Sequence, residues 1–314
     1  MKRSLKGKRI LITGGCGFIG SHLVRSCLFG GARVEVLSSK DDSCWRLDDV
    51  GSKVKIRKVV YTNQKSVSNA LNRSKPHYVF HLASRISRER SFDELRELKE
   101  IHFDSTLTLI EGLKKTKGLI RFVHVGTIDE YGGNSAPFQE SARELPTNPY
   151  AFTKLVGTRL VELLAKNFGF PAVIIRPALV YGPAQNLRTF IPSLIRACLD
   201  KKPFPMTRGE QTRDFLFVED LVRGLLLVAV LPGVEGEIIN MGSGKETNLK
   251  EVALVVNSFL GSPAILQFGA QEYRSDEHMH FWLDSSKAKK LLGWKSRISL
   301  REGILKTCEW YKNN

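Results

Sequence analysis

A glycine-rich turn between an apolar strand and a helix constrains this chain more than any other feature. The strand at residues 8–13 runs directly into Gly14-Gly15-Cys16-Gly17-Phe18-Ile19-Gly20, and a helical apolar pattern begins inside that motif. Glycine lets a backbone approach the pyrophosphate of a dinucleotide, and the amino terminus of the following helix attracts its negative charge. Strand, glycine turn and helix in this order predict the first half of a dinucleotide-binding unit.

Further apolar segments alternate with helical patterns along the first half of the chain. Predicted strands cover residues 33–37, 54–59, 78–82 and 120–125, and predicted helices cover residues 65–73 and 92–116. Strands that alternate with helices form a parallel sheet covered on both faces, so the predicted fold class is α/β with a Rossmann-type, doubly wound sheet. Ligands bind at the carboxyl ends of such strands.

The end of the second predicted strand bears on the choice of cofactor. It reads Ser38-Ser39-Lys40, where a site that prefers NAD usually has a carboxylate for the adenosine ribose. Small hydroxyls followed by a cation suit a ribose that carries a 2'-phosphate. We therefore expect NADP(H) to be preferred, with NAD(H) as the alternative.

A tyrosine and a lysine stand at the start of a later predicted helix. Asn148 can cap this helix, and Pro149 suits its first position because a proline there gives up only an amide hydrogen that had no partner. Tyr150 and Lys154 are four residues apart, so their side chains project from one face. The ammonium and the positive end of the helix dipole both favour a phenolate, which predicts a proton-transferring pair.

Composition and charge exclude several classes of protein. The 314 residues are 42% apolar, which suffices for a substantial core, but no apolar stretch reaches membrane-spanning length. Five cysteines without paired spacing favour reduced thiols in a cytoplasm over disulfides or a metal site. The formal net charge is +16, yet the basic residues are dispersed, which favours an anionic small molecule over nucleic acid as the partner.

Motifs over nearly the whole chain resemble those of the extended short-chain dehydrogenase/reductases, in particular the NAD(P)-dependent nucleotide-sugar epimerase/dehydratase group. They are the glycine motif at 14–20, His81-Leu82-Ala83, Thr127 before Tyr131-Gly132, Tyr150 with Lys154, Arg176-Pro177 before Val180-Tyr181-Gly182-Pro183, and Gln211-Thr212-Arg213-Asp214-Phe215 with Asp220. Several independent motifs in the right order make the resemblance specific.

The resemblance implies a role for each residue of the predicted site. Tyr150 would exchange a proton with a sugar hydroxyl or ketone at C4 while a hydride passes between that carbon and the nicotinamide. Lys154 would hold the nicotinamide ribose and lower the pKa of the tyrosine, and Thr127 would hydrogen-bond the same sugar oxygen. The residues expected to bind the cofactor are Gly14, Gly17, Phe18, Ile19, Gly20, Ser38, Ser39, Lys40, Leu82, Ala83, Tyr150 and Lys154.

The resemblance also implies how the chain is divided. Residues 1–177 would form the NAD(P)-binding domain, and residues 178–314 mainly a smaller α/β substrate-binding domain, with a segment at about 215–242 returning to the main sheet. Arg213 and Arg274 resemble the cations that meet the diphosphate of a nucleotide-diphosphate sugar, since a guanidinium suits phosphate oxygens. In many relatives, helices such as those at 92–116 and 148–167 pack against a second subunit, which predicts a homodimer.

The reaction stays open between three alternatives. A 4,6-dehydratase needs additional acid and base groups, and such relatives follow the threonine with an acidic pair, whereas here Ile128 takes the first position and only Asp129 matches the second. Since a reductase consumes NADPH, we favour a 4-ketoreductase of a nucleotide-linked 4-keto-deoxysugar, ahead of a 4-epimerase and a 4,6-dehydratase. Asp129 remains a candidate catalytic carboxylate. His102 departs from the family pattern, because an asparagine is usual there.

A protein of another class would bind a dinucleotide without turnover and serve as a regulatory or RNA-binding module. The charge of +16 motivates this alternative. The complete set of Thr127, Tyr150 and Lys154 argues against it, because a binding protein has no need of all three.

Overall fold

The computed structural model describes residues 5–261 and 265–314. Its strands β1 to β13 are, in order, Arg9–Thr13, Arg33–Ser38, Val54–Lys58, Tyr78–His81, Arg121–Val125, Ala172–Pro177, Leu179–Tyr181, Phe204–Met206, Thr212–Arg213, Phe215–Phe217, Ile238–Met241, Thr247–Asn248 and Leu266–Phe268. Its α-helices α1 to α10 are Phe18–Phe29, Gln64–Ser74, Phe92–Lys99, Ser105–Lys114, Pro149–Phe168, Phe190–Leu199, Val218–Val230, Leu249–Phe259, Ser286–Leu292 and Leu300–Asn313.

Seven strands form one sheet in the order β11–β6–β5–β4–β1–β2–β3. The pairs from β3 to β6 are all parallel; in β1, for example, Ile12 lies opposite Val36 of β2 and Phe80 of β4. The order 3-2-1-4-5-6 is that of a Rossmann fold, and the chain reverses its winding direction between β1 and β4. The predicted fold class is confirmed, and the carboxyl ends of β1 and β4 mark the expected ligand edge.

The central strands are apolar because helices cover both faces of the sheet. Every residue of β4 and β5 is buried. The main core under α2, α4 and α5 includes Leu11, Leu37, Val67, Leu71, Val79, Leu109, Ile110, Phe122, Val161 and Ile174. The burial of these strands explains why they read as continuous apolar runs rather than as alternating ones.

The single helix expected at residues 92–116 is interrupted. The chain forms α3, then a π-helical turn at Glu100–Asp104, then α4. At the start of α4 the hydroxyls of Ser105 and Thr106 donate back to the carbonyls of Ile101 and His102 in this turn. Helix α5 packs closely on the turn at Gly157. A Cβ at this position would lie only 2.7 Å from the carbonyl oxygen of His102. Apolar periodicity does not reveal a π-turn, which often marks a functional site.

The chain folds into two compact units. The first comprises the chain up to Gly133, Ala142–Arg176 and Val222–Ile239, and the second comprises Asn134–Ser141, Pro177–Leu221 and the chain from Asn240 onward. The second unit has a core of its own, which includes Ile191, Leu194, Ile195, Phe217, Val252, Val256 and Ile304. In the described ranges, no helix combines the length and the apolar character needed to cross a membrane.

Candidate active site

The glycine turn closes against the end of β4, as a dinucleotide site requires. Gly14 has a φ of +69°, and a Cβ there would lie 2.8 Å from the amide nitrogen of Ala83. A Cβ at Gly20 would lie 2.2 Å from the carbonyl oxygen of Gly14. Gly17 caps α1 without any side chain, which leaves the first amides of a 12-residue helix facing the turn. These backbone groups fit the pyrophosphate of a dinucleotide.

The loop after β2 contains a carboxylate, that of Asp42, which folds back onto the end of the strand. The hydroxyl of Ser38 and the amide of Ser39 both donate to Oδ2 of Asp42, over 3.0 and 2.8 Å. Lys58 of β3 donates to the carbonyl oxygen of Asp42 over 2.6 Å. Lys40 is exposed in the same loop. The loop after β2 therefore presents the carboxylate of Asp42 and the cation of Lys40, and Lys58 reaches the loop from β3. The adenosine ribose is expected beside these groups.

The expectation that all cysteines are free thiols is wrong for two of them. Cys16 in the glycine turn and Cys44 in the loop after β2 form a disulfide, whereas Cys27, Cys198 and Cys308 are free and buried. Cys16 and Cys44 are 28 residues apart, and this spacing does not predict a disulfide. The turn after β1 and the loop after β2 adjoin because β1 and β2 are parallel neighbours, and this brings the two cysteines together.

Tyr150 and Lys154 lie in the first two turns of α5, where the sequence predicted them. The side chain of Asn148 accepts from the amide of Ala151 over 2.9 Å and caps the helix. The ammonium of Lys154 is buried and donates to the carbonyl oxygen of Val125 at the end of β5. Burial lowers the pKa of Lys154 to about 8, and the carboxylate of Glu130 opposes that shift.

The surroundings of Tyr150 favour a protonated phenol. Burial raises its pKa, and the carboxylates of Asp129 and Glu130 act in the same direction. The hydroxyls of Thr127 and Ser84 act in the opposite direction and lower the pKa of the phenol. The sequence predicted a lowered pKa from the ammonium of Lys154 and the positive end of the helix dipole. That prediction omitted the two carboxylates, which come from a different segment of the chain and stabilise the proton on the phenol.

Thr127 and Asp129 lie together in the short 3-10 helix at Ile128–Tyr131. Thr127 caps this helix, and its hydroxyl donates to Oδ2 of Asp129 over 2.7 Å. Ile128, the residue that replaces an acidic side chain of the dehydratase pattern, is only 1% exposed. The structure thus brings Thr127, Asp129, Tyr150 and Lys154 into one cluster, in which Asp129 is the carboxylate that accepts from the hydroxyl of the threonine.

The carboxylate of Glu130, which follows Asp129 in the same 3-10 helix, is fully buried. It accepts from the amide of Thr127 over 2.9 Å, from the hydroxyl of Thr158 over 3.0 Å and from Nε of Arg176 over 2.7 Å. Arg176 is also fully buried and bonds Glu144 as well. Breaking one side of such a pair leaves an uncompensated charge. Glu130 and Arg176 therefore fix the position of Thr127.

Three buried histidines, His81, His102 and His124, lie near Lys154. His81 hydrogen-bonds Thr13 and Thr106, and His102 hydrogen-bonds Ser84 and Thr153. Neither ring nitrogen of His124 has a hydrogen-bond partner among the described residues. Burial lowers the pKa of His81 to about 3 and that of His102 to about 2, and it lowers the pKa of His124 as well. All three rings are therefore neutral near pH 7.

The two arginines predicted to meet a diphosphate lie in the second unit. Arg213 pairs with Glu277 and donates to the carbonyl oxygen of His278 over 2.7 Å. The backbone carbonyl of Arg274 accepts from the amide of Glu277 over 3.1 Å. Arg213 is partly buried, whereas Arg274 is exposed. The turn that starts at Arg274 therefore contains Glu277, the carboxylate that pairs with Arg213.

Comparison with known proteins shows which family has this sequence and fold. Residues 10–242 match the model of the NAD dependent epimerase/dehydratase family. A trifunctional UDP-glucose 4,6-dehydratase/UDP-4-keto-6-deoxy-D-glucose 3,5-epimerase/UDP-4-keto-L-rhamnose-reductase from Arabidopsis thaliana is 31% identical over 98% of this chain. The chain spans about half of that relative, since the match covers 48% of its length.

Two solved structures are similar over almost their whole length. The epimerase Mth375 from Methanothermobacter thermautotrophicus is 29% identical, with a TM-score of 0.92 over 100% of this chain and 94% of that one. UDP-glucuronic acid 4-epimerase from Bacillus cereus, solved with UDP-glucuronic acid and NAD, is 28% identical, with a TM-score of 0.88 over 97% and 99%. The chain belongs to the NAD-dependent epimerase/dehydratase family of nucleotide-sugar enzymes.

Proposed function

We propose that this enzyme is a 4-ketoreductase, which reduces the C4 ketone of a nucleotide-diphosphate-linked deoxysugar. One observation carries the proposal: burial, together with the negative charges of Asp129 and Glu130, raises the pKa of the Tyr150 phenol. A ketone needs an acid that protonates its oxygen as the hydride arrives. A phenol that retains its proton meets this need, whereas oxidation of an alcohol would begin with a phenolate.

The neighbours of Tyr150 complete the proposed reduction. A bound nicotinamide dinucleotide supplies the hydride. The hydroxyl of Thr127 donates to Oδ2 of Asp129 over 2.7 Å in this structure, and it would turn its hydrogen to the same sugar oxygen as Tyr150 when the substrate is bound. Lys154 holds the nicotinamide ribose, and its ammonium stabilises the phenolate that forms when the proton has left Tyr150.

Loss of water from the sugar is less well supported. That reaction needs an acid for the departing C6 hydroxyl and a base for the C5 proton, in addition to Tyr150. Ile128 is apolar and 1% exposed, and the carboxylate of Asp129 accepts from Thr127. One carboxylate cannot easily serve both steps at this position, so 4,6-dehydratase ranks third.

The proposed substrate carries a diphosphate, for which the second unit offers Arg213 and Arg274. A planar guanidinium suits phosphate oxygens. Arg213 is already bonded to Glu277, so the diphosphate would have to replace that carboxylate or share the guanidinium with it. The net charge of +16 favours the approach of such an anion.

For the cofactor we infer NAD(H), and this revises the NADP preference expected from Ser38-Ser39-Lys40. Both serines donate to the carboxylate of Asp42. A carboxylate at the end of β2 accepts from the ribose 2'-hydroxyl of NAD and repels the 2'-phosphate of NADP. The NAD complex of the Bacillus cereus relative agrees with this inference.

Asp42→Asn is expected to raise the affinity for NADPH relative to NADH by about tenfold, because one negative charge beside the phosphate is removed. The measurement is the fluorescence titration of each reduced cofactor. Asp41→Asn is the matched control, since Asp41 is an exposed acid in the same loop. If the wild-type protein bound NADPH tightly and NADH weakly, the inference of NAD(H) would be wrong and the preference for NADP(H) expected from Ser38-Ser39-Lys40 would hold.

The carboxylate of Asp42 also supports a second candidate, a nucleotide-sugar 4-epimerase. An epimerase usually retains NAD and recycles it, so an acid at the end of β2 suits that activity too. The similar structure from Bacillus cereus is a 4-epimerase.

One assay distinguishes the candidates. Purified enzyme is incubated with NADH or NADPH and a panel of nucleotide-linked 4-keto-6-deoxysugars, and in parallel with the parent nucleotide sugars and NAD. Reduced-nicotinamide absorbance and product mass are followed. Oxidation of the cofactor by a keto sugar supports the reductase, an isomeric product from a parent sugar means epimerase, and loss of water means dehydratase.

A further inference from the structure

A disulfide crosses the edge of the sheet where the adenosine ribose of a dinucleotide is expected. Cys16 belongs to the glycine turn after β1, and Cys44 belongs to the loop after β2. Their Cα atoms are 4.6 Å apart, which is about the spacing of two paired strands, so the two segments touch. Sγ of Cys44 also lies 3.7 Å from the hydroxyl oxygen of Ser38, the last residue of β2. In a Rossmann fold the 2' oxygen of the ribose lies at the end of β2. The disulfide therefore joins the two segments that meet this part of the cofactor.

The loop that contains Cys44 already uses the donors that a 2'-phosphate would need. The hydroxyl of Ser38 and the amide of Ser39 donate to the carboxylate of Asp42 over 3.0 and 2.8 Å. The ammonium of Lys58 donates to the carbonyl oxygen of Asp42 over 2.6 Å. A hydroxyl, a backbone amide and an ammonium are usual partners of phosphate oxygens. Each of these three donors is bonded to Asp42, which stands two residues before Cys44.

We propose that the Cys16–Cys44 disulfide is a site of reversible reduction that sets which dinucleotide the enzyme binds. The intact disulfide keeps Asp42 on its three donors, where the carboxylate repels a 2'-phosphate, so the oxidised enzyme prefers NAD(H). After reduction the loop can withdraw from the glycine turn, and the three donors become available to a 2'-phosphate, so the reduced enzyme also accepts NADP(H). The inference rests on NAD(H) as the cofactor of the proposed function, but it concerns binding alone and can be tested without any sugar.

The structure confines the effect of reduction to this loop. The 3-10 helix that follows Cys44, Trp45–Lys53, is held against α1 by Arg25. The guanidinium of Arg25 donates to Asp49 over 2.9 Å and also to the carbonyl oxygen of Arg46. These contacts do not depend on the disulfide. Its reduction therefore frees the loop between β2 and this helix and leaves the elements on either side in place.

The disulfide is accessible to a dithiol reductant from one side. Cys44 is half-buried and Cys16 is 4% exposed, so a thiolate of the reductant attacks Sγ of Cys44, and Cys16 leaves as a thiolate. Cys16 immediately precedes Gly17, the cap of α1, and the positive end of a helix stabilises a thiolate. The second thiol of the reductant then displaces Sγ of Cys44 and closes a disulfide within the reductant. Two electrons and two protons pass to the two cysteines.

The test compares how the oxidised and the reduced protein bind two cofactors. Glutathione disulfide and dithiothreitol prepare the two states, and the intact mass excludes a glutathione adduct. In denaturant, three of the five cysteines should react with a thiol reagent in the oxidised protein and all five in the reduced protein. NADPH and NADH are then titrated by fluorescence. We expect reduction to raise the affinity for NADPH relative to NADH by about tenfold, because one negative charge moves away from the phosphate.

Three variants show whether this change passes through the disulfide and Asp42. Cys44→Ser cannot form the disulfide, so it should bind both cofactors like the reduced wild type and should not respond to dithiothreitol. Cys198→Ala is the matched control, because Cys198 is a free thiol in the second unit, and it should respond like the wild type. In Asp42→Ala the donors are free in both states, so reduction should leave the preference between NADPH and NADH unchanged.

Four results would overturn the proposal. They are five reactive thiols after treatment with glutathione disulfide, the same cofactor preference in the oxidised and reduced protein, a relative loss of NADPH affinity on reduction, and an equal effect of reduction with and without the carboxylate of Asp42. If neither state bound a nicotinamide dinucleotide, the proposed function would fall together with this inference. If both states bound NADH with the same preference over NADPH, only this inference would fall.

Discussion

Tyr150→Phe is expected to lower kcat for ketone reduction by a factor of about 10² to 10⁴, the usual contribution of a general acid. Phenylalanine retains the ring of Tyr150 but not the hydroxyl that would give the proton. Because only the proton donor is lost, the dissociation constant of the dinucleotide should change by no more than about twofold. Rapid mixing and cofactor fluorescence measure the two quantities separately.

Tyr311→Phe is the matched control, because it removes a phenol that bonds the carbonyl of Gln185 in the second unit. Its turnover should equal that of the wild type. If Tyr150→Phe retained full biological activity while it still bound the cofactor, the chain would act as a binding module rather than through this reaction.

Acid is expected to destabilise the protein between pH 7 and pH 5. Burial depresses the pKa of His81 to about 3 and of His102 to about 2, whereas an unfolded histidine titrates near ~6.5. Between these values the unfolded chain binds more protons than the folded one, so stability falls as pH falls. Each of these two histidines should cost about 2 kcal/mol of unfolding free energy at pH 5, and His124 acts in the same direction.

Urea unfolding at several pH values measures this loss. His124→Phe removes one buried group whose ring nitrogens have no hydrogen-bond partner in the described ranges, so the variant should lose less stability than the wild type between pH 7 and pH 5. Equal losses in the two proteins, or a wild-type stability that does not depend on pH in this range, would show that the histidines are charged or solvated.

The sheet and the position of the tyrosine–lysine pair could be predicted from local sequence. Residues 14–20 show strand, turn and helix within a few positions, and Asn148 with Pro149 marks the start of α5. These features depend on neighbours along the chain. The cap of Asn148 and the closure of the glycine turn in the structure result from the same local rules.

Features that depend on contacts between distant segments could not be predicted. The pairing of Cys16 with Cys44, the bonds from Ser38 and Ser39 to Asp42, and the burial of Glu130 on Arg176 all require the folded chain. The pKa of Tyr150 is raised in the structure chiefly because the folded chain buries the phenol, which the sequence does not show. Its helix supplies a cation one turn away, but the 3-10 helix at Ile128–Tyr131 supplies two carboxylates.

The central claim is that hydride from a free reduced cofactor is transferred to C4 of a nucleotide-linked keto sugar. NADH labelled with deuterium at its transferable position, and NADPH labelled likewise, would be incubated with the keto sugar and the product examined by NMR and mass spectrometry. The account predicts one deuterium, bound at C4, for each reduced cofactor consumed. A product without deuterium, formed while the reduced cofactor stays intact, would contradict it.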